Sequence, residues 1–362
     1  MKNTEKQVSR TNIIEPMLVT EGGHYFTFVQ AICSFAGDNN LAVWTNINST
    51  FSSDNPSVKV YKIFKRRIRR IQLFRLLKKL LATEEKIFIP TAGTTEAYLA
   101  GLASNGPIAE NKVYLYFHYV KQRRKKIWIY KKVTKKHPNI VAIAPTQAVI
   151  EFLKDCGFKN ILKIPYPVFK KSDYSDRSSK KFSQLLFAGS VRLDKGFGEV
   201  VNLIEYLKSK NENIKFSMQL SRDEELYADD LKPSIRKLLS LDYSGLDTRP
   251  YGSSFKDYIS LYKNSICLQL YNQADFKDRI SGITLDALLS GCPVITLPDT
   301  WIADVIKRFD AGEVVNSKEP EQVYLAVKKI IDNYSKYSHR AYDAGNVISE
   351  ENSAKKLLDV IT

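Results

Sequence analysis

The sequence predicts an α/β protein built from two doubly wound domains, and three observations carry that expectation. Short apolar strands alternate with helical stretches in both halves. Two closely spaced prolines and a polar stretch interrupt the pattern near residue 168. The chain has 362 residues, 44% of them hydrophobic, enough for two cores.

In the first half, Ile13–Thr20 reads as a strand, followed by a turn at Glu21-Gly22-Gly23-His24 and an apolar helix over Tyr25–Phe35. Leu41–Thr45, Lys86–Pro90, Val113–His118 and Ile140–Ala144 read as further strands. Ile164-Pro165-Tyr166-Pro167-Val168 is extended, because each proline disfavours the helical region for the residue before it. The pattern restarts at Gln184–Phe187, a strand, then a helix over Phe197–Lys208 and strands at Phe216–Leu220, Ile266–Tyr271 and Pro293–Leu297. The expected layout is a first domain over 1–168, a linker over 169–181 and a second domain over 182–335. A C-terminal helix over 336–362 is placed to cross back onto the first domain.

Composition excludes several classes. No run of 18 apolar residues exists, so no transmembrane helix is expected, and the polar start Met1–Asn12 lacks the apolar centre of a secretory signal. Cys33, Cys156, Cys267 and Cys292 are scattered, which argues against a disulfide framework or a zinc site and for a cytoplasmic chain with reduced thiols. The net charge of +16 is uneven: residues 1–170 hold 28 Lys/Arg against 11 Asp/Glu, whereas residues 171–362 hold 27 against 28. The first half therefore has an anionic partner to find.

The segment Asp278-Arg279-Ile280-Ser281-Gly282-Ile283-Thr284-Leu285-Asp286-Ala287-Leu288-Leu289-Ser290-Gly291-Cys292-Pro293-Val294-Ile295 carries the most chemistry. Ser281 caps a helix, Gly282 permits close backbone approach, and Gly291 stops the helix just before a buried strand. Such a helix start offers unpaired N–H groups and a positive dipole end, which suits a diphosphate. Asp286, one turn in, is placed to accept hydrogen bonds from ribose hydroxyls. An ordinary capped helix-to-strand turn is the bland alternative. A second segment, Leu185 to Phe197, reads strand, glycine turn at Gly189, basic loop and helix. Its Arg192 and Lys195 are near enough to converge on one diphosphate, with solvated surface charges as the alternative.

Together these segments resemble the family 4-type (group 1) glycosyltransferases of the GT-B fold. That family has two acidic residues separated by seven others, then an alanine-containing helix and G-x-P-V. Here Asp278 and Asp286 hold the acidic positions, both as Asp where Glu is usual, followed by Ala287 and Gly291-Cys292-Pro293-Val294. Arg279-Ile280-Ser281-Gly282 and Thr300-Trp301 match a subgroup in which Arg279 and Ser281 stand nearer the phosphates than Asp278. The resemblance implies two Rossmann-like domains with parallel sheets facing across a cleft. It implies that Arg192 and Lys195 stabilise the leaving diphosphate, and that Gly189, Arg279, Ser281, Gly282, Ile283, Thr284, Asp286 and Asp278 bind the donor. Tyr251-Gly252 fall where the family places its base-binding loop. Gly22 and Gly23 match its glycine-rich turn after the first strand, although a plain tight turn also accounts for them. His118 ends an apolar strand, where family members carry a histidine that meets the donor sugar. A structural histidine is the rival reading for His118 and for His24.

Residues 59–79 contain ten Lys/Arg and no acid, with Phe64, Ile68, Ile71, Phe74 and Leu77 at helical spacing. The pattern predicts a basic amphipathic helix. Residues 121–136 hold nine more cations, with Trp128 and Tyr130 among them. Such faces suit an anionic membrane surface, and a solvated helix face is the alternative. Phosphates of nucleic acid attract the same charges, but no nucleic-acid recognition motif is present and no such partner is expected.

The expected function is transfer of a sugar from a nucleotide-sugar donor to a saccharide or lipid-linked acceptor, a precursor of cell-surface polysaccharide. The resemblance implies a hexosyltransferase-like enzyme that retains anomeric configuration and needs neither metal nor cofactor. The expected location is the inner face of the plasma membrane, as a peripheral protein. A non-catalytic sugar-nucleotide-binding or partner subunit of the same fold is the alternative.

Overall fold

The computed structural model describes residues 10–20, 23–120, 124–168, 181–221, 223, 226–249 and 255–362. The chain forms two compact units, Met1–Phe169 with Glu351–Thr362, and Lys170–Glu350. All of the expected linker except Lys181 lies outside the described residues.

The first unit holds strands β1 (Thr11–Glu15), β2 (Leu41–Asn46), β3 (Val58–Phe64), β4 (Lys86–Ile89), β5 (Val113–Tyr116), β6 (Val141–Ala144) and β7 (Asn160–Lys163). They form one parallel sheet in the order β3-β2-β1-β4-β5-β6-β7. Helix α1 (His24–Cys33) follows β1, while α2 (Arg69–Leu81), α3 (Thr94–Ala103), α4 (Arg124–Lys136) and α5 (Gln147–Asp155) lie in the connections from β3 to β7. Right-handed crossovers put α1 on one face of the sheet and α2 to α5 on the other. There, Ile14, Ile87, Leu115 and Ala142 of the strands pack with Leu73, Leu77, Ala97, Val133 and Leu153 of the helices.

Two expectations change here. The first strand runs Thr11–Glu15 rather than Ile13–Thr20, because Pro16 has no N–H to continue the ladder. Residues 59–79 are not one helix: Val58–Phe64 is a strand paired with β2, and the helix begins at Arg69. Lys59 and Lys62 therefore stand on a strand. α2, α3 and α4 pack side by side, which brings the cations of α2 and α4 to one layer.

The second unit holds β8 (Gln184–Phe187), β9 (Phe216–Gln219), β10 (Leu246–Arg249), β11 (Ser265–Gln269), β12 (Val294–Thr296) and β13 (Gly312–Val314). These are also parallel, in the order β10-β9-β8-β11-β12-β13. Its helices are α6 (Phe197–Ser209), α7 (Lys232–Ser240), α8 (Phe255–Ser260), α9 (Gln273–Phe276), α10 (Gly282–Leu289), α11 (Trp301–Phe309), α12 (Pro320–Asp332) and α13 (Tyr334–Glu351). Two hydrogen bonds from α13 steady the strands and helix beneath it, from Ser338 Oγ to the Gly291 carbonyl (2.8 Å) and from the Tyr334 hydroxyl to the Ser265 carbonyl (3.0 Å). The tail expected as one helix over 336–362 is two: α13 ends at Glu351, and α14 (Lys355–Ile361) packs on α1 in the first unit.

Each sheet reverses its order between two neighbouring strands, β1 and β4 in the first unit, β8 and β11 in the second. Ligands of open α/β sheets bind beyond the carboxyl ends of the strands at such switch points. In the second unit the chain turns there through Gly196, whose φ is +75°. A Cβ on Gly196 would lie 2.2 Å from the Leu270 carbonyl oxygen. Gly196→Ala should therefore destabilise the protein by more than about 2 kcal/mol in urea unfolding. Gly198→Ala, two residues on in α6 with nothing near its Cβ, should leave stability unchanged or raise it by up to about 1 kcal/mol.

Candidate functional site

At the switch point of the second sheet, the chain leaving β8 passes Gly189 and Ser190, then makes a single 3-10 turn over Leu193–Lys195. Gly189 has a φ of +78°, and a Cβ there would sit 2.9 Å from Ile283 Cδ1 and 3.3 Å from Lys195 Nζ. Its missing side chain lets the start of α10 and the lysine close over the strand end. The turn is tied to the segment that follows β11 by a 2.9 Å hydrogen bond from the Asn272 N–H to the Asp194 carbonyl.

Three cations gather at this turn. Arg192 Nε donates to Asp194 Oδ1 at 2.7 Å, and its Nη2 reaches Oδ2 of the same carboxylate. Arg279 Nη1 lies 3.9 Å from Asp194 Oδ2, and its guanidinium stacks 4.7 Å above the Phe276 ring. Lys195 Nζ donates to Ser190 Oγ at 3.4 Å and sits 5.9 Å from the centre of the Tyr271 ring. Burial lowers the Lys195 pKa to about 8; the Arg192 and Arg279 charges lower it too, and Asp194 partly offsets them. The ammonium is held where it is least comfortable, which is where an incoming anion gains most.

The start of α10 faces the same region. Ser281 is buried and its Oγ accepts from the Thr284 N–H at 3.3 Å, so the helix is capped as the sequence predicts. The Tyr271 phenol is hydrogen-bonded to Ser281. Among the described residues, the N–H groups of Gly282 and Ile283 have no protein acceptor, which leaves two donors at the positive end of the helix. Asp286 accepts from the Tyr258 hydroxyl at 2.8 Å, and the Tyr262 hydroxyl lies 2.6 Å from that of Tyr258. Since Tyr258 donates to the carboxylate, Tyr262 donates to Tyr258. Asp286 and Lys195 both act on the buried Cys267 thiol, in opposite senses. Burial is the largest cause of that thiol's rise to about 12.

Two predicted donor residues are not part of this cluster. Asp278 is exposed, and no hydrogen bond or ion pair holds it among the described residues. Thr284 is fully buried, and its hydroxyl donates to Gln269 Oε1 at 2.6 Å, so its side chain belongs to the core beneath α10. Tyr251 and Gly252 lie outside the described residues, as does Gly22.

The first unit has its own polar group at its switch point. Gly23, with φ +83°, precedes α1, and His24 is that helix's first residue, exposed. The His118 ring is 6.2 Å from His24 and about 5.0 Å from each of Phe28, Tyr116 and Tyr166. Its Nε2 lies 2.6 Å from the Pro90 carbonyl. A carbonyl only accepts, so Nε2 carries the proton and Nδ1 is left as an acceptor. Burial, then the His24 charge, pushes the His118 pKa down to about 3 despite the bond to Pro90. His118 is thus a neutral imidazole with a fixed tautomer, packed structurally and still offering one lone pair.

Sequence reading passed over two carboxylates. Asp194 stands between two cations that dominate its loop, so no pattern singles it out. Glu15 was absorbed into an overlong strand, although an acid ending an apolar strand just before a proline is itself a signal. Glu15 is fully buried at the end of β1, where its carboxylate accepts from Thr91 Oγ1 (2.5 Å) and from the Met17 N–H (3.1 Å). Burial raises its pKa from 4.5 to about 7, against the two hydrogen bonds, and the nearby Glu96 adds to the rise.

No known family model matches the chain, and no curated protein matches its sequence. Solved structures match its fold. A glycosyltransferase from Rickettsia africae ESF-5 superposes with a TM-score of 0.66 at 13% identity, over 98% of each chain. WaaG, a glycosyltransferase involved in lipopolysaccharide biosynthesis, gives 0.67 at 13% identity, over 97% of this chain and 99% of its own. Anabaena Alr3699/HepE, solved in complex with UDP-glucose, gives 0.66 at 11% identity, over 97% of this chain and 98% of its own.

Glu15 provides a test of the first centre. A folded-state pKa raised from 4.5 to about 7 contributes stability that is fully present below pH 4.5 and lost as pH rises through 7. Glu15→Gln, which stays neutral, should remove that slope. The variant should match the parent near pH 5 and be more stable at pH 8 by about 2–3 kcal/mol in urea titrations. Parallel stability curves from pH 5 to 8 would show that Glu15 does not titrate there. At the low identities of its structural neighbours the likeness is one of fold, and the chain has the GT-B fold of two Rossmann-like domains.

Proposed function

We propose that this protein is a glycosyltransferase that moves a sugar from a nucleotide-sugar to a hydroxyl-bearing acceptor. The observation that carries this reading is the convergence of Arg192, Lys195, Arg279 and the open start of α10 at the switch point of the second sheet. Guanidinium forks, a desolvated ammonium and free backbone N–H groups together form a site for a diphosphate. Asp286, beside them, is the acceptor for ribose hydroxyls. HepE, which has the same fold, was solved with UDP-glucose, and this supports a sugar diphosphate of that class as donor.

In this reading the second unit holds the donor. As the bond from the sugar to the diphosphate breaks, negative charge builds on the leaving oxygens, and Arg192 and Lys195 stabilise it where it develops. The first unit holds the acceptor, with the His118 Nδ1 lone pair as a polar group there. Retention of configuration and transfer without a metal belong to the same proposal and rest on the motif resemblance.

The basic face of the first unit supports an anionic membrane as the place where the acceptor is met. Exposed Arg66, Arg67, Arg70, Arg75, Lys78 and Lys79 flank Ile68 and Ile71 on and before α2. Trp128, 63% exposed on α4, is surrounded by lysines. Exposed apolar side chains among cations fit a headgroup layer, where each cation contributes about 1 kcal/mol. Among the described residues, no helix is long and apolar enough to cross a membrane, so attachment is proposed to be peripheral, at the cytoplasmic face. A lipid-linked saccharide is then the acceptor class.

Four results test this. Thermal shift with UDP-, GDP- and ADP-sugars should show stabilisation by one of them. The Arg192→Ala, Lys195→Met double variant should lose that stabilisation, and turnover should fall by about a thousandfold or more. Because Lys195 loses its charge near pH 8, donor affinity should weaken as pH rises through that value. For the membrane, vesicles containing phosphatidylglycerol should float the protein at low salt, and Arg70→Glu with Arg75→Glu and Lys79→Glu should abolish flotation. Flotation that survives the charge reversal would remove α2 as the anchor.

A further inference from the structure

The carboxylate at the centre of the cation cluster is not explained by a simple grip on phosphate. Asp194 takes both donors of the Arg192 fork, one to each oxygen, and draws Arg279 to 3.9 Å from Oδ2. Two oxygens on one face of a guanidinium are also what a phosphate presents. An N–H aimed at Asp194 cannot serve a phosphate oxygen at the same time. Lys195, by contrast, is not claimed: its ammonium reaches Ser190 Oγ at 3.4 Å, and the Asp194 charge acts on it only from a distance. The backbone of Asp194 is pinned by the Asn272 N–H, so the side chain can swing while the turn stays in place.

We propose that Asp194 is an internal counter-anion that competes with the diphosphate for Arg192 and Arg279. This rests on the donor reading of the site. Binding of a nucleoside diphosphate exchanges the carboxylate for phosphate oxygens on both arginines, while Lys195 is ready to receive charge without exchange. When the product nucleoside diphosphate leaves, the carboxylate returns to the arginines. Asp194 thereby weakens binding of the diphosphate and speeds its release. Among the described residues, the charges paired with or acting beside this carboxylate are the cations Arg192, Arg279 and Lys195, so removing it leaves the cluster more positive.

The experiment is isothermal titration of UDP, GDP, ADP and inorganic pyrophosphate into the full-length protein, Asp194→Asn and Asp194→Ser, across pH 6–9. The expected result is about tenfold tighter binding of the recognised diphosphate by both variants, and tighter binding of pyrophosphate as well. The pH at which binding weakens should also move below 8, because Asp194 raises the Lys195 pKa and its removal lowers it. Stopped-flow release of the diphosphate should slow in proportion. Equal or weaker binding by both variants, with the pH limb unmoved, overturns the inference and leaves Asp194 as a brace for the arginines. If wild type and variants all bind none of the four probes, the donor reading fails and this inference falls with it. Two substitutions of different size keep the outcome readable should one fold poorly.

Discussion

A parallel sheet whose strand order runs outward in both directions has one place where two neighbouring strands send their connections to opposite faces. Nothing in the sheet fills the gap there. In the second unit that place lies between β8 and β11, and the turns that carry the candidate site follow from it. The chain leaving β8 must turn sharply, which is why Gly189 and Gly196 take positive φ. The chain leaving β11 must run through Tyr271 and α9 before α10 begins, which brings Arg279 and Ser281 opposite the first turn. The sheet supplies position, and the loops supply charge.

The two switch points differ in electrostatic character. In the second unit, cations are crowded together and one is driven toward neutrality, its pKa lowered to about 8. Such crowding costs stability unless an anion relieves it, and one carboxylate among three cations relieves it only in part. In the first unit, His118 and Glu15 at the switch point carry no charge between about pH 3 and about pH 7. His118 is held unprotonated, and Glu15 is protonated below about pH 7. Neutral hydrogen-bonding groups suit hydroxyls, and cationic ones suit phosphates. The proposed division between acceptor and donor follows from this contrast.

Much of the architecture was legible because its signals are local. The strand Gln184–Phe187, the cap at Ser281 and the stop at Gly291 each depend on a few adjacent residues, and the structure has all three. The misreadings had physical causes. Val58–Phe64 is rich in β-branched and aromatic residues, a strand composition, but Lys59 and Lys62 stand three apart, a helical spacing that runs on into the cations of α2. β7, β10 and β13 stand at sheet edges and are less buried than the central strands, so they lack the apolar run that marks those. Thr284 was legible as part of a motif but not as a side chain turned toward Gln269, because facing depends on which side of α10 meets β11. Asp194 and Glu15 were missed for the converse reason. Their meaning lies in what surrounds them, Arg279 some 85 positions away in one case and Thr91 some 76 in the other.

Asp286 shows how the shorter acidic side chain is accommodated. One of its oxygens is occupied by Tyr258, which is itself supported by Tyr262 from within the core. The carboxylate is thus held close to α8, with less reach than a glutamate and with one oxygen already committed. A ribose meeting it would find a rigid acceptor of limited capacity. Under the proposed donor reading, most of the donor's binding energy comes from the diphosphate, where Arg192, Arg279, Lys195 and the α10 N–H groups converge. That shift of weight from ribose to diphosphate makes a competing carboxylate useful. A site that grips its leaving group mainly through charge needs a means of letting it go, and Asp194 lies among the groups that would otherwise hold it.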